Sequence, residues 1–198
     1  MTGSDAPAIV IAAGGDGSRM GGSKPQRLLA GRRLIDHAAN WARQRSDSIA
    51  LAVRPGDDDL GTGLPILIDR EAGIGPISAL ASAIRFARDQ GRNQVVMIGC
   101  DMPFLPHDLV ARLRSALAGH GAAMPVREGR LHPMASLWRA DEVAIDAYMA
   151  AGGQSLWRFA ETVGMVRVEW TDTLDPFANI NDAESLTKAE ERLRKRAR

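Results

Sequence analysis

The chain has 198 residues, 45% of them hydrophobic and 25% charged, with a formal net charge of +1. That length suits one domain able to bury a proper core, and the balance is that of an ordinary soluble globular protein. Near-neutral charge gives no general mandate for nucleic acid or a membrane surface, and Cys100, the single cysteine, excludes an internal disulfide and an all-cysteine metal site. No stretch approaches the roughly 20 apolar residues of a membrane span. MTGSDAP lacks the basic start of a secretory signal, so a cytoplasmic location is expected.

The first element is a short apolar run, Ile9 to Ala13, that stops at a glycine-rich loop ending in Lys24 (IVIAAGGDGSRMGGSK). A buried strand emptying into such a loop is a phosphate-binding design. Glycines such as Gly14 and Gly15 let the backbone approach phosphate oxygens and present N–H donors, while Arg19 and Lys24 add fixed positive charge. The two commonest templates both fail. Met20 stands where a dinucleotide-binding loop has its third glycine. In the other, lysine should follow the second glycine directly, but Ser23 intervenes and Pro25 follows Lys24.

Beyond the loop, Leu34, Ala38, Trp41 and Ala42 recur at helical spacing and predict a helix over Arg33 to Arg45. Ser48 to Val53 reads as a strand, and Arg54 to Gly63, with its three adjacent aspartates, as a solvated polar loop. A strand is expected from Pro65 to Ile68, ending at Asp69. Gly73, Gly75 and Pro76 then open a helix with Ile77, Leu80, Ala81 and Ile84 on one side. Gln94 to Gly99 is almost wholly apolar, as a strand buried on both faces must be. It ends at Cys100-Asp101-Met102-Pro103, and Pro106 opens a helix through Leu117. Strands are expected at Ala122 to Val126 and Met134 to Trp138 around a turn, then helices at Asp141 to Ala151 and Ser155 to Val163, an edge strand at Met165 to Trp170, and a last helix capped by Asp182. This alternation predicts an α/β fold: a mostly parallel sheet with helices on both faces, in a single domain spanning 1–198, with its core over about 8–188 and a basic helix end at 189–198. Glu184, Glu190 and Glu191 balance the basic end, and no aromatic residue interleaves with it, so nucleic acid is not expected as a partner.

Ligands of parallel sheets bind outside the carboxyl ends of the strands. The glycine loop, Asp69 and Asp101 are all expected there. Asp101, between a strand and Met102-Pro103, suits a magnesium ion, which takes one or two carboxylates plus phosphate oxygens. Asp69 has a competing reading as a turn residue. Cys100 is expected to be buried filler, and His37 structural. His132, in a turn between two strands, reads equally as structural or as a substrate contact. Asn179 and Asn181 lie two apart in FANIND, where an extended segment points both amides the same way, suited to reading a polar ligand.

These residues resemble a known family. Ala12-Ala13-Gly14-Gly15, Ser18-Arg19-Met20-Gly21-Gly22 and Lys24 are similar to the opening of the molybdenum cofactor guanylyltransferases. So are Gly75-Pro76, Cys100-Asp101-Met102-Pro103-Phe104-Leu105-Pro106, His132-Pro133 and Phe177-Ala178-Asn179-Ile180-Asn181, in order from about Ala8 to Leu186. The resemblance implies a Rossmann-like nucleotidyltransferase fold and an enzyme that uses GTP and magnesium. Such an enzyme joins GMP to the terminal phosphate of Mo-molybdopterin and releases pyrophosphate. By matching position, Ala12, Ala13, Gly14, Lys24, Asp69 and Asp101 would contact the nucleotide and Asp101 would bind Mg2+. His132, Asn179 and Asn181 would lie toward the pterin. Other molybdenum cofactor biosynthesis proteins, or a molybdoenzyme receiving the product, are implied partners.

The chain departs from that family's pattern in places. Ala12 stands where leucine is usual and Ser23 where aspartate precedes the lysine, one residue is missing between Gly22 and Lys24, and no asparagine lies near Ala52 and Val53. Ala-Ala-Gly and Lys-Pro-Gln lean toward the sister enzymes that transfer CMP. Three alternatives therefore stand beside guanylyl transfer: cytidylyl transfer to the same cofactor, nucleotidyl transfer to another small phosphorylated metabolite, and non-catalytic cofactor delivery.

Overall fold

The computed structural model describes residues 6–14, 24–53, 60–68 and 75–196. Among these, one sheet carries both cores. Its strands are β1 (Ala8–Ala12), β4 (Ile49–Val53), β5 (Ile66–Ile68), β6 (Gln94–Gly99), β7 (Ala122–Arg127), β8 (Arg130–Leu131), β9 (Ala135–Arg139) and β10 (Met165–Glu169). A separate hairpin pairs β2 (Leu28–Leu29) with β3 (Arg32–Arg33). The helices are α1 (Leu34–Arg43), α2 (Pro76–Asp89), α3 (Leu109–Leu117), α4 (Glu142–Ala150), α5 (Leu156–Thr162) and α6 (Ala183–Arg196).

The strand order is β10-β7-β9-β6-β1-β4-β5, with β8 paired to β7. Strands β6, β1, β4 and β5 run parallel, and β10 runs parallel to β7. Only β9 reverses within the main order, antiparallel to both β6 and β7. The cause is local. Glu128 and Gly129 adopt φ of 50° and 76° and turn β7 tightly into β8, and such a short return leaves no room for the crossover that parallel pairing requires. The expected mostly parallel sheet is therefore present, with β10 at its edge.

Alternation along the central strands sorts side chains into two layers. Ile9, Ile11, Val96 and Ile98 pack with α1 and α3, while Ala8, Val10, Val95 and Met97 pack with α2, α4 and α5. Both faces of β6 are covered, which explains its unbroken apolar run. Helix α2 starts where expected: Gly75 takes φ +81°, closed to most side chains, and Pro76 supplies a first-turn residue with no N–H to satisfy. Helix α6 lies on the small hairpin, and Leu29, Leu34, Phe104, Ile180 and Ala189 form a third, smaller core. This satellite core brings the segment before α6 up against the chain that follows the glycine loop. No described helix is long and apolar enough to cross a membrane.

Candidate functional site

Pairing register sets the site. Ala12 lies opposite Gly99 on one side and Ala52 on the other, so β1, β4 and β6 end level with one another. The ladder continues one residue further: the Cys100 N–H donates to the Ala12 carbonyl at 3.1 Å, and the Ala13 N–H to the Ala52 carbonyl at 2.9 Å. Ala13-Gly14 and Cys100-Asp101 thus leave the sheet side by side, at the carboxyl edge where ligands of such sheets bind.

Three side chains from distant parts of the chain converge there. The Lys24 Nζ donates to Asp101 Oδ2 at 2.5 Å and to Asn181 Oδ1 at 2.5 Å. The Lys24 and Asp101 side chains are each 14% exposed, so the ion pair is largely shielded from solvent. Backbone bonds fix its members. The Asp101 carbonyl accepts from the Ile180 N–H at 2.9 Å, tying the segment before α6 to the end of β6. The Asn181 and Asp182 N–H groups both donate to Ser185 Oγ at 3.0 Å, and the Ser185 N–H donates to Asp182 Oδ1 at 2.7 Å. Asp182 therefore caps α6 as expected, and the bonds donated by the Ser185 N–H and hydroxyl hold its carboxyl below the usual carboxylate range.

Gly99 makes room for Asp101. A Cβ at that position would lie 2.5 Å from Asp101 Oδ1 and 3.5 Å from the Met102 side chain. Sequence reasoning passed over this glycine, although a glycine closing an apolar strand just before an aspartate is a legible signal.

The remaining expected residues divide. Ala12, Ala13 and Gly14 border the site. Gly15, Arg19 and Asp69 lie outside the described residues. Asn179 and Asn181 are exposed on either side of Ile180, which is 2% exposed, as in an extended segment. Asn179 also lines a half-open, mostly apolar groove of about 590 Å³ between α6 and residues 174–180, floored by Phe104 and Ile180. His132 does not join the cluster directly. It is 8% exposed and stacked on Phe177 with 4.6 Å between ring centroids. Its Nε2 is buried without a hydrogen-bond partner among the described residues, and burial holds the imidazole pKa below its ordinary value. Cys100 is 4% exposed, and burial pushes its thiol pKa up to about 12, which suits filler and not a nucleophile. His37, on α1, has its Nε2 3.1 Å from the Leu29 carbonyl, a structural tie.

A hard cation fits this donor set. Asp101 offers carboxylate oxygens at a strand end, and no cluster of three or more His, Cys, Asp or Glu side chains suited to a metal occurs among the described residues. Magnesium held here would complete its octahedron from phosphate oxygens and water, its habitual shell beside one or two carboxylates.

A mostly parallel sheet whose first strand leads into a glycine-rich sequence, with a lysine, an aspartate and an amide gathered at its carboxyl edge and no nucleophile in place among the described residues, defines a nucleotidyltransferase. Residues 9–166 match the family model described as the MobA-like NTP transferase domain. This chain belongs to that family. It is 39% identical over 191 residues to the molybdenum cofactor guanylyltransferase of Rhodobacter capsulatus, covering 95% of this chain and 97% of that protein. The protein of the same name from Cereibacter sphaeroides is 38% identical over 195 residues, again with 95% and 97% coverage. Among solved structures, molybdopterin-guanine dinucleotide biosynthesis protein A from Archaeoglobus fulgidus superposes with a TM-score of 0.77 at 21% identity, covering 95% of this chain and 99% of that one. The 2-C-methyl-D-erythritol 4-phosphate cytidylyltransferase of Thermus thermophilus gives 0.72 at 20% identity, with 96% and 99% coverage. Both structural likenesses establish the fold.

Proposed function

We propose that this enzyme transfers GMP from GTP to the terminal phosphate of Mo-molybdopterin, forming the guanine dinucleotide cofactor and releasing pyrophosphate. The observation that carries this reading is the Lys24–Asp101–Asn181 cluster at the sheet's carboxyl edge, in a chain alignable almost end to end with relatives named for guanylyl transfer.

The reaction needs no protein nucleophile. An oxygen of the acceptor's terminal phosphate attacks the α-phosphorus of GTP, the bond from that phosphorus to the oxygen bridging to the β-phosphate breaks, and pyrophosphate departs with the electron pair. The protein's task is positioning and charge neutralisation. The backbone of Ala12, Ala13 and Gly14 would border the nucleotide, and the family resemblance assigns Gly15 and Asp69 to the same task. Lys24 would stabilise the charge that grows on the leaving group, a task the family resemblance also assigns to Arg19. Asp101 would hold Mg2+, which would supply Lewis-acid stabilisation to the phosphate oxygens. Asn179 and Asn181 belong to the acceptor side, and His132 lies behind that segment, stacked on Phe177. On this reading the enzyme acts in the cytoplasm and passes its product to a molybdoenzyme or another protein of molybdenum cofactor biosynthesis.

The test is direct. Purified protein is incubated with Mg2+, Mo-molybdopterin and one nucleoside triphosphate, and pyrophosphate release is measured beside chromatography of the dinucleotide. GTP is expected to give guanine dinucleotide and stoichiometric pyrophosphate. Turnover with CTP in preference to GTP would move the enzyme to cytidylyl transfer, and product with neither would overturn the reading.

A further inference from the structure

The buried imidazole of His132 lies outside the Lys24–Asp101–Asn181 cluster, yet it is connected to that cluster through one aromatic ring. His132 follows β8 in a tight turn: its N–H donates to the Pro125 carbonyl at 2.9 Å and its carbonyl accepts from the Ala135 N–H at 3.0 Å. Its ring is therefore mounted on the sheet. Phe177, 2% exposed, stacks on that ring with 27° between planes. On another side Phe177 meets Trp170 edge to face at 5.4 Å, and the Arg112 guanidinium lies 3.7 Å above the Trp170 ring. The Phe177 N–H donates to Asp175 Oδ1 at 2.8 Å, closing a short turn. Three residues further on, the Ile180 N–H reaches the Asp101 carbonyl, and Asn181 accepts from Lys24.

We infer that His132 is a positioning residue: by stacking on Phe177 it fixes the 177–181 segment, and through Ile180 and Asn181 it sets the placement of Lys24 and Asp101. This rests on the reading of that cluster as the transfer site. Shape explains the role. An imidazole is flat enough to stack on Phe177, and its Nε2 meets no hydrogen-bond partner among the described residues. The charged groups facing it are Asp175 from the segment before Phe177 and Arg127 and Arg130 from the β7–β8 hairpin. Burial outweighs Asp175 and, with the two arginines, holds the imidazole pKa below its ordinary value.

Two variants test the role: His132→Phe, which keeps a flat ring and removes both nitrogens, and His132→Ala, which removes the stack. The readouts are kcat and KM for GTP and, independent of turnover, hydrogen-exchange protection of the Ile180 amide. His132→Ala is expected to lower kcat by on the order of 10²-fold, as small misplacements of reacting groups do, with a smaller change in KM. It is also expected to speed Ile180 exchange. His132→Phe should restore both to near the wild-type values. Equal loss of kcat in the two variants, with Ile180 protected in His132→Phe, would mean that an imidazole nitrogen meets substrate and would overturn the inference. So would unchanged Ile180 protection in folded His132→Ala. If wild-type protein fails to transfer GMP, the function reading fails, and the exchange measurement still decides whether His132 holds the segment.

Discussion

Lys24 and Asp101 stand 77 positions apart in the chain, yet their charged atoms are 2.5 Å apart at the carboxyl edge of the sheet. The Asp101 carboxylate therefore already carries a cation, and the same ammonium is shared with Asn181. On the proposed reaction both charges have other work, Asp101 at the metal and Lys24 at phosphate. Asp101→Asn is expected to lower kcat by at least about 10²-fold, the scale on which preorganised charge acts at developing phosphate charge. Asn keeps the volume, and the Lys24–Asn181 bond survives, so the melting temperature should change little. Steady-state kinetics beside a thermal melt checks both halves; normal turnover would remove Asp101 from the metal.

The same pair predicts an order of binding. With Lys24 in place, a divalent cation meets a carboxylate whose charge is already compensated. Mn2+ used as a probe is expected to bind weakly without nucleotide and more tightly with GTP, whose phosphates engage Lys24 and complete the metal's shell. Lys24→Met should raise the affinity for Mn2+ alone by about tenfold or more, since two unit charges 4 Å apart exchange ~4 kcal/mol at an effective dielectric near 20. Electron paramagnetic resonance of free Mn2+ measures this without turnover. Equal Mn2+ affinity in wild type and variant would show that Lys24 does not compete for Asp101.

Gly99→Ala tests the room left for that carboxylate. The new methyl would lie 2.5 Å from Asp101 Oδ1, the end of a short side chain that can swing away. The expected outcome is a stable protein with sharply reduced turnover and a weakened response to Mg2+. Loss of folding instead would mean that the backbone around Gly99, and not the aspartate, takes up the clash.

How much of this was legible beforehand follows from the range of each interaction. The apolar run of β6 and the helical spacing in α1 and α2 are local, and all three elements appear within a few residues of their expected bounds. Asp101 was legible because a strand end is a local feature and parallel sheets gather such ends at one edge. The β2–β3 hairpin was not. Its strands are two residues each, and its turn depends on Ala30 at φ 51° as much as on Gly31. The bond from Lys24 to Asn181 spans 157 positions and depends on α6 docking against that hairpin, so no pattern of spacing announces it. The stack of His132 on Phe177 is of the same kind. The sequence left structural and substrate-contact readings of His132 equally open, and burial favours the former.

Cys100 yields a prediction about pH and reactivity. Burial first, and the neighbouring Asp101 carboxylate second, push its thiol up to about 12, whereas an unfolded chain releases that proton near the ordinary value of about 8.5. A folded-state pKa raised above the unfolded one means that the stabilising contribution is whole below about 8.5 and is lost as pH rises toward 12. Native protein at pH 8 is therefore expected to react very slowly with an aromatic disulfide reagent, at a rate set by opening of the fold, and denatured protein to react at once. Cys100→Ala should flatten the alkaline arm of the stability curve while leaving turnover close to wild type, since the thiol has no part in phosphoryl chemistry. Rapid labelling of the folded protein at pH 8 would contradict the burial of Cys100 behind the site.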